Sequence, residues 1–274
     1  MTSDPVVTFE TRNGEAALFG EDASLPAASA RLPRGAYTTL RTYGGRGIVR
    51  FGAHLGRLEE SVALQGRPGR IDEEVSRRLV VSALREARHP ESRLRLTFAP
   101  PRLFVSVAPF APPARSRYEQ GVACVTLPLH RDRPRVKDTG FIATAQRAYR
   151  DLPPGVEEGL LRAEDGALLE GLSSNFFAVL DDRLHTEGDR ALLGITRSLV
   201  LAVADPLIPL AGRAVRLDEL RRIDEAFITS ASREVLPVVR IDGEPVGDGG
   251  VGPVTRAIMQ GLAALIQREA EVFG

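Results

Sequence analysis

Hydrophobic positions along the chain switch between two periods, and the switches outline its elements. Leu94, Leu96 and Phe98 alternate with polar residues, as do Leu103, Val105 and Val107, which predicts two strands with Pro100-Pro101 between them. Residues 37–43 and 47–51 read as strands around the turn Gly44-Gly45. Helical spacing takes over at residues 54–65, where Leu55, Leu58 and Val62 share one face. Residues 72–88 form a second helix with Val75, Leu79, Ala83 and Ala87 in one stripe and Asp72 as its cap. The first part of the chain is therefore a sheet with two helices on it.

Strand patterns dominate the second part, at residues 122–127, 159–163, 167–170, 176–180 and 226–229. Asp165-Gly166, Asp181-Asp182 and Asp242-Gly243 read as hairpin turns. Helices are expected at 141–150, 196–204 and 252–271. Between the two parts, residues 109–117 read PFAPPARSR, and three prolines without periodicity suit a linker. The expected division is thus a domain at 1–108, a linker at 109–117 and a domain at 118–274. Short hairpins among helices indicate an α+β architecture rather than a doubly wound parallel sheet, and no GxGxxG or P-loop supports a nucleotide fold.

Composition narrows the function classes. The chain has 274 residues and carries 36 basic and 36 acidic side chains. Zero net charge, with acids spread among the bases, argues against a nucleic-acid partner. One cysteine, Cys124, excludes an intrachain disulfide and a cysteine-based metal cluster, so no metal is expected. Residues 1–10 include Asp4, Pro5 and Glu10 and lack a basic-then-apolar signal pattern. The apolar stretch 192–210 is interrupted by Arg197, Asp205, Pro206 and Pro209, which rules out a membrane span there. The expectation is a soluble cytoplasmic protein.

The basic residues are lopsided: 35 are arginine and one, Lys137, is lysine. Taken alone, Lys137 reads best as a surface lysine that escaped an arginine-favouring composition. Its functional reading rests on what guanidinium cannot do, because only an amine can lose its proton and act as a nucleophile in Schiff-base chemistry. Glu170 ends an apolar run, a poor place for an unpaired carboxylate unless the chain is surfacing into a loop. Gly194-Ile195-Thr196 precedes a helical run, so its N–H groups suit an anion, although a glycine turn capped by Thr196 fits the same residues. Thr229-Ser230-Ala231-Ser232 offers hydroxyls and N–H groups after a strand. Arg57 has the charge to complete an anion site, but composition does not select it, and His54 reads first as a packed residue.

Taken in order, these segments resemble the class IV, fold type IV pyridoxal-phosphate enzymes, which include branched-chain and D-amino-acid aminotransferases and aminodeoxychorismate lyase. The resemblance runs from about Gly35 to Ile266. His54-Leu55-Gly56-Arg57-Leu58 is similar to the family's H-x-x-R-L helix, which implies that Arg57 binds the cofactor phosphate. Val136-Lys137 is similar to the Schiff-base lysine segment. Glu170-Gly171, with Ser173-Ser174-Asn175-Phe176-Phe177, is similar to the E-G-x-x-x-N-x-F segment whose glutamate faces the pyridine nitrogen. Gly194-Ile195-Thr196-Arg197 resembles the phosphate turn, and residues 224–230 with Pro237-Val238 resemble the late strand. The resemblance implies pyridoxal 5′-phosphate as cofactor and Lys137 as catalyst. It implies Glu170, Arg57, Ser174, Asn175, Ile195, Thr196, Ser230, Ala231 and Ser232 around the cofactor, with Tyr37, Thr38 and Arg95 towards the substrate. It also implies a small N-terminal α/β domain, a larger β-rich C-terminal domain, the cofactor between them, and a homodimer.

Four positions depart from the family pattern. Phe141 and Ile142 stand where many members carry a tyrosine, Ala231 where several place a phosphate-binding threonine, and Thr38 where many aminotransferases have glutamate. The function implied is an aminotransferase taking an amino donor and a 2-oxo acid acceptor. The alternatives are a lyase releasing pyruvate on the same fold, which Thr38 and the missing tyrosine mildly favour, and a non-catalytic binding protein on a decayed fold.

Overall fold

The computed structural model of the protein describes residues 4–12 and 14–274. Met1, Thr2 and Ser3, at the start of the stretch read for a signal pattern, lie outside the described residues. The elements in chain order open with β1 (Val6–Arg12), β2 (Glu15–Asp22), α1 (Leu25–Arg31), β3 (Ala36–Arg41) and β4 (Gly47–Val49). Next come α2 (Phe51–Leu64), α3 (Glu73–Ala87), β5 (Ser92–Ala99), β6 (Arg102–Pro109) and α4 (Arg115–Gln120). β7 (Val122–Leu127), α5 (Gly140–Arg150), β8 (Val156–Arg162), β9 (Leu168–Gly171), β10 (Asn175–Leu180), β11 (Arg183–His185) and α6 (Ile195–Ala204) follow. A 3-10 turn at Leu217–Arg222 leads to β12 (Glu225–Ser230), β13 (Glu234–Ile241), β14 (Glu244–Pro245), α7 (Pro253–Glu269) and β15 (Ala270–Val272).

Two compact units divide the chain. The first runs to Pro112 and also takes in Val136–Ile142 and Arg268–Gly274; the second holds Pro113–Arg135 and Ala143–Gln267. The first break falls inside the proline-rich segment 109–117, but two later stretches return to the first unit, so one cut does not describe the chain. The segment is not free of structure either: β6 runs into it at Pro109 and α4 begins at Arg115.

The first unit is built on a five-stranded sheet in the order β2-β1-β6-β5-β3, antiparallel throughout. Alternation puts Leu94, Leu96 and Phe98 on the covered face, where they pack with Leu55, Leu58 and Val62 of α2 and Leu79, Val80 and Ala83 of α3. Burial of such aliphatic side chains contributes about 1.5–3 kcal/mol each, which is what holds both helices to the sheet. Asp72 caps α3 by accepting from Val75 N at 2.9 Å, as the sequence implies. The β1–β2 hairpin and α1 are additions that the sequence pattern does not announce.

The second unit is built on an eight-stranded sheet in the order β11-β10-β12-β13-β7-β8-β9, with β14 on β13. β9 also pairs with β10 through Asn175 and Glu170, so the path from β10 through β12, β13, β7 and β8 closes on itself. β7 is parallel to both β13 and β8, and the other pairings are antiparallel. Its interior is apolar, with Leu160, Phe176, Ala178, Ile228 and Leu236 fully or almost fully enclosed. Among the described residues, no helix is long and apolar enough to cross a membrane.

Candidate active site

In the first unit Lys137 sits on a short segment laid against the start of β3. Tyr37 N donates to the Lys137 carbonyl at 2.9 Å, Ala36 bridges to Asp138, and Thr139 N donates to the Gly35 carbonyl at 3.0 Å. Lys137 N donates to Ser61 Oγ on α2 at 3.3 Å, and Gln65 Nε2 donates to Asp138 Oδ2 at 3.1 Å. Backbone bonds therefore fix the lysine on both sides. Its Nζ lies 4.9 Å from the centre of the Tyr37 ring. The Arg95 guanidinium stands 5.2 Å from the same ring centre, so Tyr37 attracts two cations through its π face.

Next to Tyr37, Thr38 is buried and joins His54 and Arg57. Arg57 Nη2 donates to Thr38 Oγ1, which leaves the threonine hydrogen for His54 Nδ1 at 2.6 Å. Burial pushes the His54 imidazole well below its usual range, with the charges of Arg57 and Lys137 acting in the same direction, so the ring is neutral at pH 7. Burial also lowers Arg57 to about 10, with Tyr37 and Glu60 opposing the shift. Arg57 Nε is buried with no hydrogen-bond partner. A buried guanidinium with an unused N–H is suited to an anion. Arg95 is committed locally: its Nη1 donates to the Leu25 carbonyl and to Ser29 Oγ of α1, at 3.2 and 2.8 Å.

In the second unit Glu170 lies near the end of β9 and is 3% exposed. Arg131 Nε lies 2.9 Å from Glu170 Oε1, and Leu192 N donates to Oε2 at 3.3 Å. The chain is not surfacing at Glu170; its carboxylate is buried because a guanidinium and an N–H compensate it. Sequence reasoning missed Arg131, whose one signal was its place in the charged run His130-Arg131-Asp132-Arg133 just before Lys137.

Asn175, the β10 residue paired with Glu170, donates from Nδ2 to the Leu192 carbonyl at 2.6 Å. The loop before α6 is thus tied to the β9–β10 corner at two points. Gly194 is the N-cap of α6 and makes no side-chain cap bond, so Thr196 does not cap this helix. The first N–H groups of α6, from Ile195 and Thr196, lie in the first turn and have no intrahelical acceptor, the arrangement that favours an anion. Ser174 Oγ donates to Glu158 Oε2 at 3.0 Å, and Thr229 Oγ1 is buried without a partner. Ser230 Oγ accepts from Arg233 N at 3.2 Å, while Ala231 and Ser232 form the half-buried turn between β12 and β13. Among the described residues, no group of three or more His, Cys, Asp or Glu could hold a metal ion.

In the first unit Arg57 Nε, and in the second unit the Thr229 hydroxyl, are buried donors without acceptors. Each by itself suits an anionic group, as does the N-terminus of α6. Comparison with known proteins gives the same direction. Residues 35–241 match the family described as amino-transferase class IV. A D-alanine aminotransferase of Staphylococcus aureus (strain MSSA476) is 41% identical over 101 residues, 36% of this chain and 36% of that protein. The chain therefore matches about a third of the length of that curated relative. Among solved structures, a branched-chain amino acid aminotransferase from T.th., solved with pyridoxamine 5′-phosphate, aligns over 100% of both chains at 21% identity with TM-score 0.79. The Escherichia coli branched-chain amino acid aminotransferase aligns over 98% of this chain and 96% of that one, at 23% identity with TM-score 0.76. These two likenesses show the fold: fold type IV, α+β.

Proposed function

Because the chain belongs to the class IV amino-transferase family, we propose that it is a pyridoxal 5′-phosphate-dependent aminotransferase that moves an amino group from an amino donor to a 2-oxo acid. The observation that carries the reading is the placement of its single lysine, backbone-locked beside β3 in the unit that also holds the Arg57 guanidinium with its unused N–H. When bound, pyridoxal phosphate supplies an aldehyde that captures amines and a ring that withdraws electron density from the substrate carbon.

The chain's own residues divide the remaining work. Lys137 would hold the cofactor aldehyde, and its Nζ would be the base that takes the proton from the substrate carbon. Neutral His54 and Thr38 hold Arg57, which offers its guanidinium to the phosphate. Ile195 and Thr196 offer N–H groups to a phosphate, and Ser230 and Ser232 offer hydroxyls where Ala231 has none. Glu170, paired with Arg131, is the acceptor for the protonated pyridine nitrogen. Ser174 acts through Glu158, and Asn175 through Leu192, so these two support the site rather than touch the cofactor.

Thr38 is one of the two features that favour the lyase alternative, and its bonds to His54 and Arg57 give it a use that requires no lyase chemistry. A spectrophotometric half-reaction screen separates the two. The yellow protein, given a panel of amino donors, is expected to lose its absorbance with at least one and regain it with a 2-oxo acid. No conversion with any donor, together with pyruvate release from an aromatic precursor, would move the assignment to the lyase.

A further inference from the structure

A second buried ion pair lies in the same unit as Glu170, outside the residues that the family resemblance selects. Glu158, on β8, is 0% exposed, and Arg233 follows the β12–β13 turn. Arg233 Nη2 lies 2.7 Å from Glu158 Oε2 and 2.8 Å from Ser173 Oγ. Its Nη1 is 3.4 Å from Glu157 Oε1. Its Nε and its backbone N both donate to Ser230 Oγ, at 3.3 and 3.2 Å. Tyr149 of α5 closes the cluster, with its hydroxyl 2.6 Å from Glu158 Oε1 and 2.6 Å from Ser173 Oγ. Burial works against the Arg233 charge, but the neighbouring Glu158 carboxylate outweighs it and holds the guanidinium protonated.

The cost of enclosing these charges is the informative part. An apolar pair of similar volume often serves stability as well as a buried ion pair does, so stability alone does not account for one. What this pair does that an apolar pair cannot is fix two polar loops at once. The guanidinium fork reaches Glu158, Ser173 and Ser230 with separate N–H groups, which the point charge of lysine cannot reproduce. Both lone-pair directions of Ser230 Oγ are taken by Arg233 N–H groups, so the hydroxyl hydrogen is left to donate elsewhere.

We propose that Arg233 is a positioning residue: anchored on Glu158, it locks the Ser230–Ser232 turn to the Ser173 loop and turns the Ser230 hydroxyl into a donor for the cofactor phosphate. The inference rests on the reading that this turn binds that phosphate. Arg233→Met by itself strands the Glu158 charge, so the informative variant is Arg233→Met with Glu158→Gln, which removes both charges and keeps the Tyr149 contact. The measurement is the affinity of the full chain for pyridoxal 5′-phosphate beside that for pyridoxal, which lacks the phosphate. The preference for the phosphorylated form is expected to fall about tenfold, with pyridoxal affinity held within about twofold, as for loss of one charge-assisted donor. Arg233→Lys, the fold-preserving second variant, is expected to lose part of that preference, and Arg233→Lys made in a Ser230→Ala background is expected to add little. Equal losses for both ligands reveal a purely structural role and overturn the proposal, as does an unchanged preference. A wild-type protein that takes up neither ligand overturns this inference and the cofactor reading together; a wild type that binds both, beside variants with unaltered preference, overturns this inference alone.

Discussion

Replacing Gly194 with alanine tests the site through one carbon atom. The backbone of Gly194 has φ −64°, a value any residue adopts, so conformational strain plays no part. The objection is space: a Cβ there lies far inside van der Waals contact with Asn175 Oδ1. Either the start of α6 or the Asn175 amide must move. Overpacking of this kind costs about 1–3 kcal/mol. If Asn175 yields, its 2.6 Å bond to the Leu192 carbonyl is lost and a buried polar group goes unpaired, for about 1–3 kcal/mol more. Alanine is also a poorer N-cap than glycine, by roughly 0.5 kcal/mol. With the Asn175 amide displaced the total is about 2.5–6.5 kcal/mol, or roughly 5–25 °C in melting temperature for a chain of this size. Cofactor affinity is expected to fall with it, because the α6 N–H groups shift. Thermal unfolding and a pyridoxal-phosphate titration check both. Gly56→Ala is the control, since its added Cβ meets nothing within 4 Å on the exposed face of α2. Helix propensity alone should make that variant about 1 kcal/mol more stable. Adding Asn175→Ala to Gly194→Ala should cost less than the two single changes summed. A Gly194→Ala protein that melts and binds cofactor like wild type refutes the argument.

Three further outcomes are expected. Lys137→Ala removes the one side-chain amine, so borohydride treatment should trap no cofactor on a side chain and turnover should fall by at least about 10³-fold; a reducible adduct at another side chain would contradict the assignment. Arg131→Met should destabilise the protein by about 3–5 kcal/mol in urea titration, because it removes the guanidinium that compensates the buried Glu170 carboxylate. The third concerns pH. His54 titrates well below its usual 6.5 in the folded protein, chiefly through burial, whereas the unfolded chain takes the proton near 6.5. The unfolded state therefore binds more protons below that value, so the His54 contribution is complete above about pH 6.5 and erodes on acidification by roughly 1.4 kcal/mol per unit. His185 shifts the same way. Urea midpoints at pH 7.5, 6.5 and 5.5 should fall in that order, and a flat series would count against it.

The helices and strands legible in the sequence are those with one clean period facing one core. α2, α3, β5 and β6 each bury such a stripe, and the structure places them within a few residues of the expected bounds. β8 shows where this fails. The sequence pattern puts its start at Gly159. The strand in fact begins at Val156, and Glu158 is enclosed because a guanidinium 75 residues away neutralises it. Long-range charge pairing leaves no periodic trace, and for the same reason neither Arg233 nor Arg131 stands out among 35 arginines. Lys137 is legible through its rarity, and Thr38, His54 and Arg57 can each be singled out. Their union is not visible in the sequence, because it depends on β3 and α2 meeting side by side.

The return of Val136–Ile142 to the first unit has a consequence for the gene as much as for the protein. The chain changes units after Pro112, Arg135, Ile142 and Gln267, so the second unit is threaded into the first rather than appended to it. A stop codon at the proline-rich seam would leave a fragment without its only lysine and without β15, the strand that pairs with β4. Lys137 is encoded between residues of the second unit and belongs to the fold of the first. Recombination at the seam would therefore separate the amine from the strand edge that holds it, so the two units can be inherited only as one piece.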